Sequence, residues 1–202
     1  MAAQDSKPTL FLVVLGGRTN QSHVELHDVR WVAGYKIEDT IDQLRQQWFG
    51  AKRGLHIDSY LAVRFIDGFC IKLVKEDSES ELKPATSNQP SKKNEKERLW
   101  FVNLGGYEPT QMAEIHQFGL VVANSAQAAK NSAKHRWLKH TQQQHKDDLA
   151  EVNKIDPVDD CLPIEGISGW RVELEADPHH RNQDIVPDWY GYWRIDKKLA
   201  TR

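Results

Sequence analysis

Four residue pairs in this chain have the types and spacing that acid–base or metal chemistry needs. They are Glu25 with His27, His56 with Asp58, Glu114 with His116, and His145 with Asp147. One residue separates the members of each pair. On a strand, residues i and i+2 share a face, so each pair can present an imidazole beside a carboxylate. Two imidazoles with a carboxylate suit Zn, Mn or Fe, and an imidazole backed by a carboxylate suits proton transfer. The competing reading is structural: His27 and His116 are buried or half-buried and held by Glu or by backbone hydrogen bonds. Gly16-Gly17 and Gly105-Gly106 follow apolar runs, but a phosphate loop needs more glycines and an immediate helix. A tight turn or a positive φ explains them. No GxSxG or HExxH motif occurs. The cofactor stays open, with a divalent transition metal as the candidate, and so does the question whether the chain is an enzyme.

The pairs recur because the chain is duplicated. Setting LFLVVLGG (10–17) over LWFVNLGG (99–106) fixes an offset of 89. The same offset matches Glu25 with Glu114, His27 with His116, Trp48 with Trp137, His56 with His145 and Asp58 with Asp147. It gives 14 identities over 58 ungapped positions, where about three or four are expected by chance. Val63, Ile66 and Asp67 match Val152, Ile155 and Asp156. Gly68 then aligns with Gly169, a change of offset from 89 to 101, which implies a 12-residue insertion near 157–168 in the second copy. The pattern sets five segments: an N-terminal tail 1–9, a first repeat 10–74, a charged linker 75–98, a second repeat 99–175, and an aromatic extension 176–202. The linker has too little apolar surface to offset the entropy of ordering it.

Within one repeat, Leu10–Leu15 is a continuous apolar run that reads as a buried strand. Val24–Val32 reads as a second strand. Ile37, Ile41, Leu44 and Trp48 share one face of a predicted helix over 36–49, echoed by Ala126, Ala129, Ala133 and Trp137. Asn124 and Gln127 have the spacing of a helix-start capping box. Leu61–Ile66, Asp67-Gly68 and Phe69–Val74 form a hairpin signal. The fold class expected is α+β: two tandem ββαββ repeats in a pseudo-twofold assembly, with helices packed on an antiparallel or mixed sheet. In the extension, Trp189, Tyr190, Tyr192 and Trp193 suit an edge strand or a packing flap more than a stacking platform.

Composition excludes several classes. The chain has 202 residues, 27 Lys plus Arg against 29 Asp plus Glu, and a formal charge of −2. That balance disfavours nucleic acid as a partner, although Lys130, Lys134, His135, Arg136, Lys139 and His140 cluster on the second helix. Such a run is ordinarily a solvated face. No apolar run reaches membrane-spanning length and none resembles a secretory leader. Cys70 and Cys161 match no zinc spacing. The expectation is a cytoplasmic protein with two reduced thiols and no membrane association.

LGG followed by Glu-x-His, a helix ending in Trp, His-x-Asp and a later Ile-Asp-Gly resembles the bacterial domain-of-unknown-function family 1543, which occurs as one or two copies per chain. The resemblance covers 10–74 in full and 99–175 with the insertion. The second copy departs where Pro157 follows Asp156 and where Gln117 replaces Asp28. The resemblance implies a fold and no activity. The sequence favours a non-enzymatic domain that binds a protein or small ligand between its two repeats, since pockets collect at such junctions. The alternative is a metal-dependent, hydrolase-like enzyme using Glu25, His27, His56, Asp58, Glu114, His116, His145 and Asp147.

Overall fold

The computed structural model describes residues 7–76, 96–137, 143–144 and 161–197. His145, Asp147, Lys139, His140 and most of the expected linker lie outside the described residues. The chain divides into two compact units, one of 1–76 with 166–202, the other of 77–165. All strand pairings found are antiparallel, and the class is α+β.

The first unit begins with β1 (Thr9–Gly17) and β2 (Leu26–Gly34). The second strand starts two residues later than its alternation suggests, and Val24 is exposed. A 3-10 turn (Ile37–Thr40) leads into α1 (Ile41–Gln47), shorter than the predicted 36–49. Its turn is closed by the Thr40 hydroxyl, which donates to the Ile37 carbonyl at 2.7 Å. Ile37, Ile41, Leu44 and Trp48 are all buried, as their helical spacing requires. They pack with Val13, Leu15, Val32 and Ile57 into one apolar cluster. The predicted strand 61–66 is two strands. β3 (His56–Val63) pairs with β1, and β4 (Phe65–Ile66) turns away to pair with β5 (Phe69–Lys75) in another sheet. Asp67 and Gly68 (φ 50° and 81°) make the tight turn between β4 and β5.

In the second unit, β6 (Arg98–Tyr107) pairs with β7 (Ile115–Ala123), and α2 (Ala126–Arg136) covers them with Ala129 and Ala133 fully buried. The small side chains let the helix lie close against Trp100, Val102 and Val121. Its N-cap is Ser125, whose hydroxyl accepts from the Ala128 amide at 3.3 Å, in place of the expected Asn124. β8 (Gln143–Gln144) and β9 (Cys161–Pro163) both pair with β6.

The register of β9 corrects the position of the insertion. Trp100, Phe101 and Val102 pair with Pro163, Leu162 and Cys161. Their counterparts Phe11, Leu12 and Val13 pair with Ala62, Leu61 and Tyr60. The offset is therefore already 101 at Cys161, and the extra residues precede it rather than occupying 157–168. The counterparts of Val63, Ile66 and Asp67 are Ile164, Ile167 and Ser168. The second copy's hairpin turn is Ser168-Gly169 (φ 50° and 83°), the same geometry as Asp67-Gly68; Asp156 and Pro157 lie outside the described residues.

β10 (Gly166–Ile167) and β11 (Trp170–Ala176) form that second hairpin, and it completes the first unit: the sheet order is β10-β11-β5-β4. In the β11–β5 ladder Trp170 pairs with Lys75 and Ala176 with Phe69, so Lys72 meets Glu173, its own counterpart at the offset of 101. The two hairpins are thus related by a local twofold through that central pair. β12 (Trp189–Arg194) then adds to β3, giving a second sheet of order β12-β3-β1-β2. Neither Cys70 nor Cys161 forms a disulfide. Among the described residues no helix is long and apolar enough to cross a membrane.

Candidate functional site

Gly16 organises the first constellation. Its strand is flanked on both sides, and the register sets His27 of β2 and His56 of β3 directly opposite Gly16. Directly opposed residues share a face, and that face is the one opposite Leu15 and the helix-covered cluster. Between the pairs Leu15–Ile57 and Val14–Ser59 the ladder slips, so Asp58 sits in a β-bulge. Bulges re-aim side chains, and here the carboxylate lands between the two imidazoles. His27 Nε2 lies 3.2 Å from Asp58 Oδ2, and His56 Nε2 lies 3.1 Å from Asp58 Oδ1. Glu25 Oε1 stands 3.5 Å from His56 Nε2. A Cβ on Gly16 would fall 2.4 Å from His56 Nε2 and 3.0 Å from Asp58 Oδ2, so the absence of a side chain makes the space for the imidazole. Gly16 lies inside β1 without a positive φ, so this close approach explains it rather than the tight turn or positive φ expected from the sequence. Its neighbour Gly17 leaves the same kind of room for Trp48.

The structure brings Glu25, His27, His56 and Asp58 together, and corrects which histidine is buried. His27 and His116 have side chains 55% and 54% exposed, whereas His56 is 1% exposed. His56 is fixed on two sides: Nδ1 donates to the Gly54 carbonyl at 2.8 Å, and the ring packs on Tyr192 with centroids 4.0 Å apart. Nothing in the spacing of the sequence points to Tyr192, because β12 reaches His56 from 136 residues away in the chain. In the second unit, Glu114 Oε2 lies 3.6 Å from His116 Nε2, and Glu114 fills the room over Gly105 that His56 fills over Gly16. Asn103 Nδ2 donates to His116 Nδ1 at 3.4 Å. His145 and Asp147 are outside the described residues. Among the described residues no group of three or more His, Cys, Asp or Glu side chains could hold a metal ion; the contacts are pairwise, His27 and His56 with Asp58 and His56 with Glu25.

A second feature lies at the other end of β1. A cleft of about 910 Å³ opens between the two sheets of the first unit. Phe11, Tyr35, Tyr60, Phe65, Ile71 and Val74 supply its apolar lining, and Lys7, Lys36, Glu38, Arg64, Lys72 and Asp188 its charges. Phe11 meets Tyr60 edge to face at 6.1 Å, and Tyr60 stacks on Trp189 at 5.9 Å, so these walls are braced. Asp188 accepts from the Ala62 amide at 2.7 Å and pairs with Arg64 at 3.4 Å. Burial, and then the charges of Glu38 and Asp188, push the Tyr60 hydroxyl above its ordinary range and keep it a hydrogen-bond donor. The sequence gives no sign of this cleft, because its walls come from strands of different sheets.

The extension 176–202 builds the first unit rather than a separate site. Arg181 clamps Asp177 through Nε and Nη2 at 2.9 and 2.8 Å, and its guanidinium lies 3.7 Å over the Phe65 ring. The Asp177 amide donates to the Gly68 carbonyl and the Gly68 amide to the Arg181 carbonyl, at 2.8 and 3.1 Å. Trp189 and Trp193 pack on the core while Tyr190 and Tyr192 are exposed, so the aromatic run is an edge strand.

Fold and site together define a duplicated α+β protein with a histidine–carboxylate cluster at the glycine end of one sheet. The chain belongs to the family described as Domain of Unknown Function (DUF1543), whose model matches twice, at residues 22–73 and 111–162, just over half of the 202 residues. It is similar to a solved structure described as protein Il1583 from Idiomarina loihiensis, at 29% identity and a TM-score of 0.63, covering 94% of this chain and 98% of that one. A search of curated proteins finds no match.

Proposed function

We propose that the first unit is a small-molecule binding module, and that its ligand is an amphipathic anion with an aromatic or aliphatic body. The observation that carries this reading is the cleft. Its volume falls in the range of small-molecule sites, about 300–1,000 Å³, and such sites combine mostly apolar walls with a few placed polar groups. Arg64 is paired with Asp188 and Lys72 with Glu175, which leaves Lys7 and Lys36 against Glu38 in the lining and favours an anion. The Tyr60 hydroxyl supplies a donor inside it. The binding place lies between the sheets of one unit, lined by Lys7, Pro8 and Thr9 of the tail, by the first repeat and by Asp188.

The test uses 8-anilinonaphthalene-1-sulfonate, an aromatic sulfonate that fluoresces in apolar surroundings. Saturable enhancement is expected with the full chain. Tyr35→Ala and Lys36→Glu, both at exposed positions, each weaken it several-fold, about 1 kcal/mol. Enhancement of equal strength in both variants, or none at all, overturns the reading.

A further inference from the structure

Among the described residues the sheet of order β12-β3-β1-β2 ends in two open edges, β2 and β12. β2 carries His27, Asp28 and Arg30 along its length, and charged side chains guard an edge against pairing. β12 has no charge and no proline from Trp189 to Trp193. It also reads the same in both directions: Trp189, Tyr190, Gly191, Tyr192, Trp193. The structure keeps that symmetry. Trp189 and Trp193 pack on the helix-covered cluster and meet edge to face at 5.8 Å. Gly191 makes room between them, since a Cβ there would fall 3.0 Å from the Trp189 ring. Tyr190, opposite Ser59, and Tyr192, against His56, turn to the face of Gly16 and are 80% and 63% exposed.

We propose that β12 is the seam of a homodimer, in which two copies of the chain pair antiparallel about a twofold axis through Gly191. A twofold interface requires that residue i meet j and that j meet i. About Gly191 that rule sets Tyr190 opposite Tyr192 of the second copy, Trp189 opposite Trp193, and Asp188 opposite Arg194. Aromatic rings meet aromatic rings, and the charges at both ends of the seam are opposite in sign, so the edge is complementary to itself. The two four-stranded sheets become one continuous antiparallel sheet. Directly opposed residues share a face, so Tyr190 of the second copy comes to lie beside Tyr192, the ring that packs on His56 at 4.0 Å. Each Gly16 cluster thereby gains a tyrosine from the other copy at its border. The seam needs no ligand in the cleft. Its extent also sets its strength. An aromatic side chain buries about 150–250 Å², so two exposed tyrosines from each copy and a short strand edge reach only the low end of specific interfaces, about 1,200 Å². The bulge against β3 between Tyr190 and Trp193 keeps the regular edge short. The dimer is therefore a reversible one.

The experiment is sedimentation equilibrium of the full chain from about 1 to 300 µM, the range in which small interfaces exchange. A monomer–dimer equilibrium is expected. A double variant, Tyr190→Lys with Tyr192→Lys, sets lysine against lysine across the seam and is expected to weaken association at least tenfold. Tyr190→Glu with Tyr192→Glu does the same. Both positions are exposed, so the fold tolerates the changes. Mixing the two variants opposes Lys to Glu at every such pair and is expected to restore association as a mixed dimer, which also shows that both variants are folded. A parent chain that stays monomeric over the whole range overturns the proposal. So does a dimer of unchanged strength in the Lys variant, which would place the seam elsewhere. A mixture that fails to associate overturns it as well, because it removes the antiparallel register about Gly191.

Discussion

Gly16 and His56 depend on each other at the scale of single residues. A methyl group at Gly16 would sit 2.4 Å from the buried imidazole, and the ring is held by Tyr192 packed against it and by Nδ1 tied to Gly54. Gly16→Ala is therefore expected to cost about 1–3 kcal/mol, the usual range for overpacking a filled interior. Denaturant unfolding measures it. The control is Gly169→Ala: nothing lies within 4 Å of its added Cβ, so its cost comes from the positive φ alone. If both substitutions cost the same, the imidazole does not need the glycine. The four residues that meet at Gly16 were all legible in the sequence, because i/i+2 spacing and duplication single them out before any fold is known. Which imidazole is buried was not legible. That depends on the bulge at Asp58 and on the arrival of Tyr192, and both are set by partners distant in the chain.

The scale of the element brings in the loop that joins β11 to β12. Asp177 is almost fully buried against Arg181, and the guanidinium holds its carboxyl well below the usual carboxylate range. Arg194 and the Gly54 amide hold Asp196 down to about 2. Both groups have a lower pKa folded than unfolded, where Asp sits near about 3.9. Their contribution to stability is complete above about pH 4 and is lost as pH falls toward about 2 and below. Denaturant midpoints measured from pH 5 to pH 2 are expected to fall across that window, and less steeply in Asp177→Asn. An unchanged slope in that variant would show that the clamp carries no pH-dependent stability. This loop was hidden from sequence reading for a physical reason. The Trp, Tyr and His of 176–202 advertise aromatic mass, but the polar contacts that matter, Asp177–Arg181 and Asn182 to the Asp67 amide at 2.9 Å, follow no hydrophobic period. The helices were easier, because Ile37, Ile41, Leu44 and Trp48 report their buried face directly.

In the molecule as a whole, duplication is visible in sequence while the joining of the copies is not. The two terminal hairpins carry matching turns, Asp67-Gly68 and Ser168-Gly169, yet the ladder that joins β5 to β11 forms between residues about 100 apart. Such pairing depends on a register that local pattern cannot specify. It also makes the first unit discontinuous: 1–76 needs 166–202 to cover two strand edges, β5 through β11 and β3 through β12. Exposed edges of that length invite pairing with other chains. A chain ending at residue 165 is therefore expected to lose the fold of its first unit and to aggregate, although it retains the whole of 10–74. Supplying 166–202 as a separate peptide is expected to restore protection of the β3 and β5 amides, read by hydrogen exchange. The cut chain showing native protection at Ile57, Leu61 and Ile71 without the peptide would mean that the first repeat folds alone, and that the hairpin and β12 are additions to a finished domain rather than parts of it.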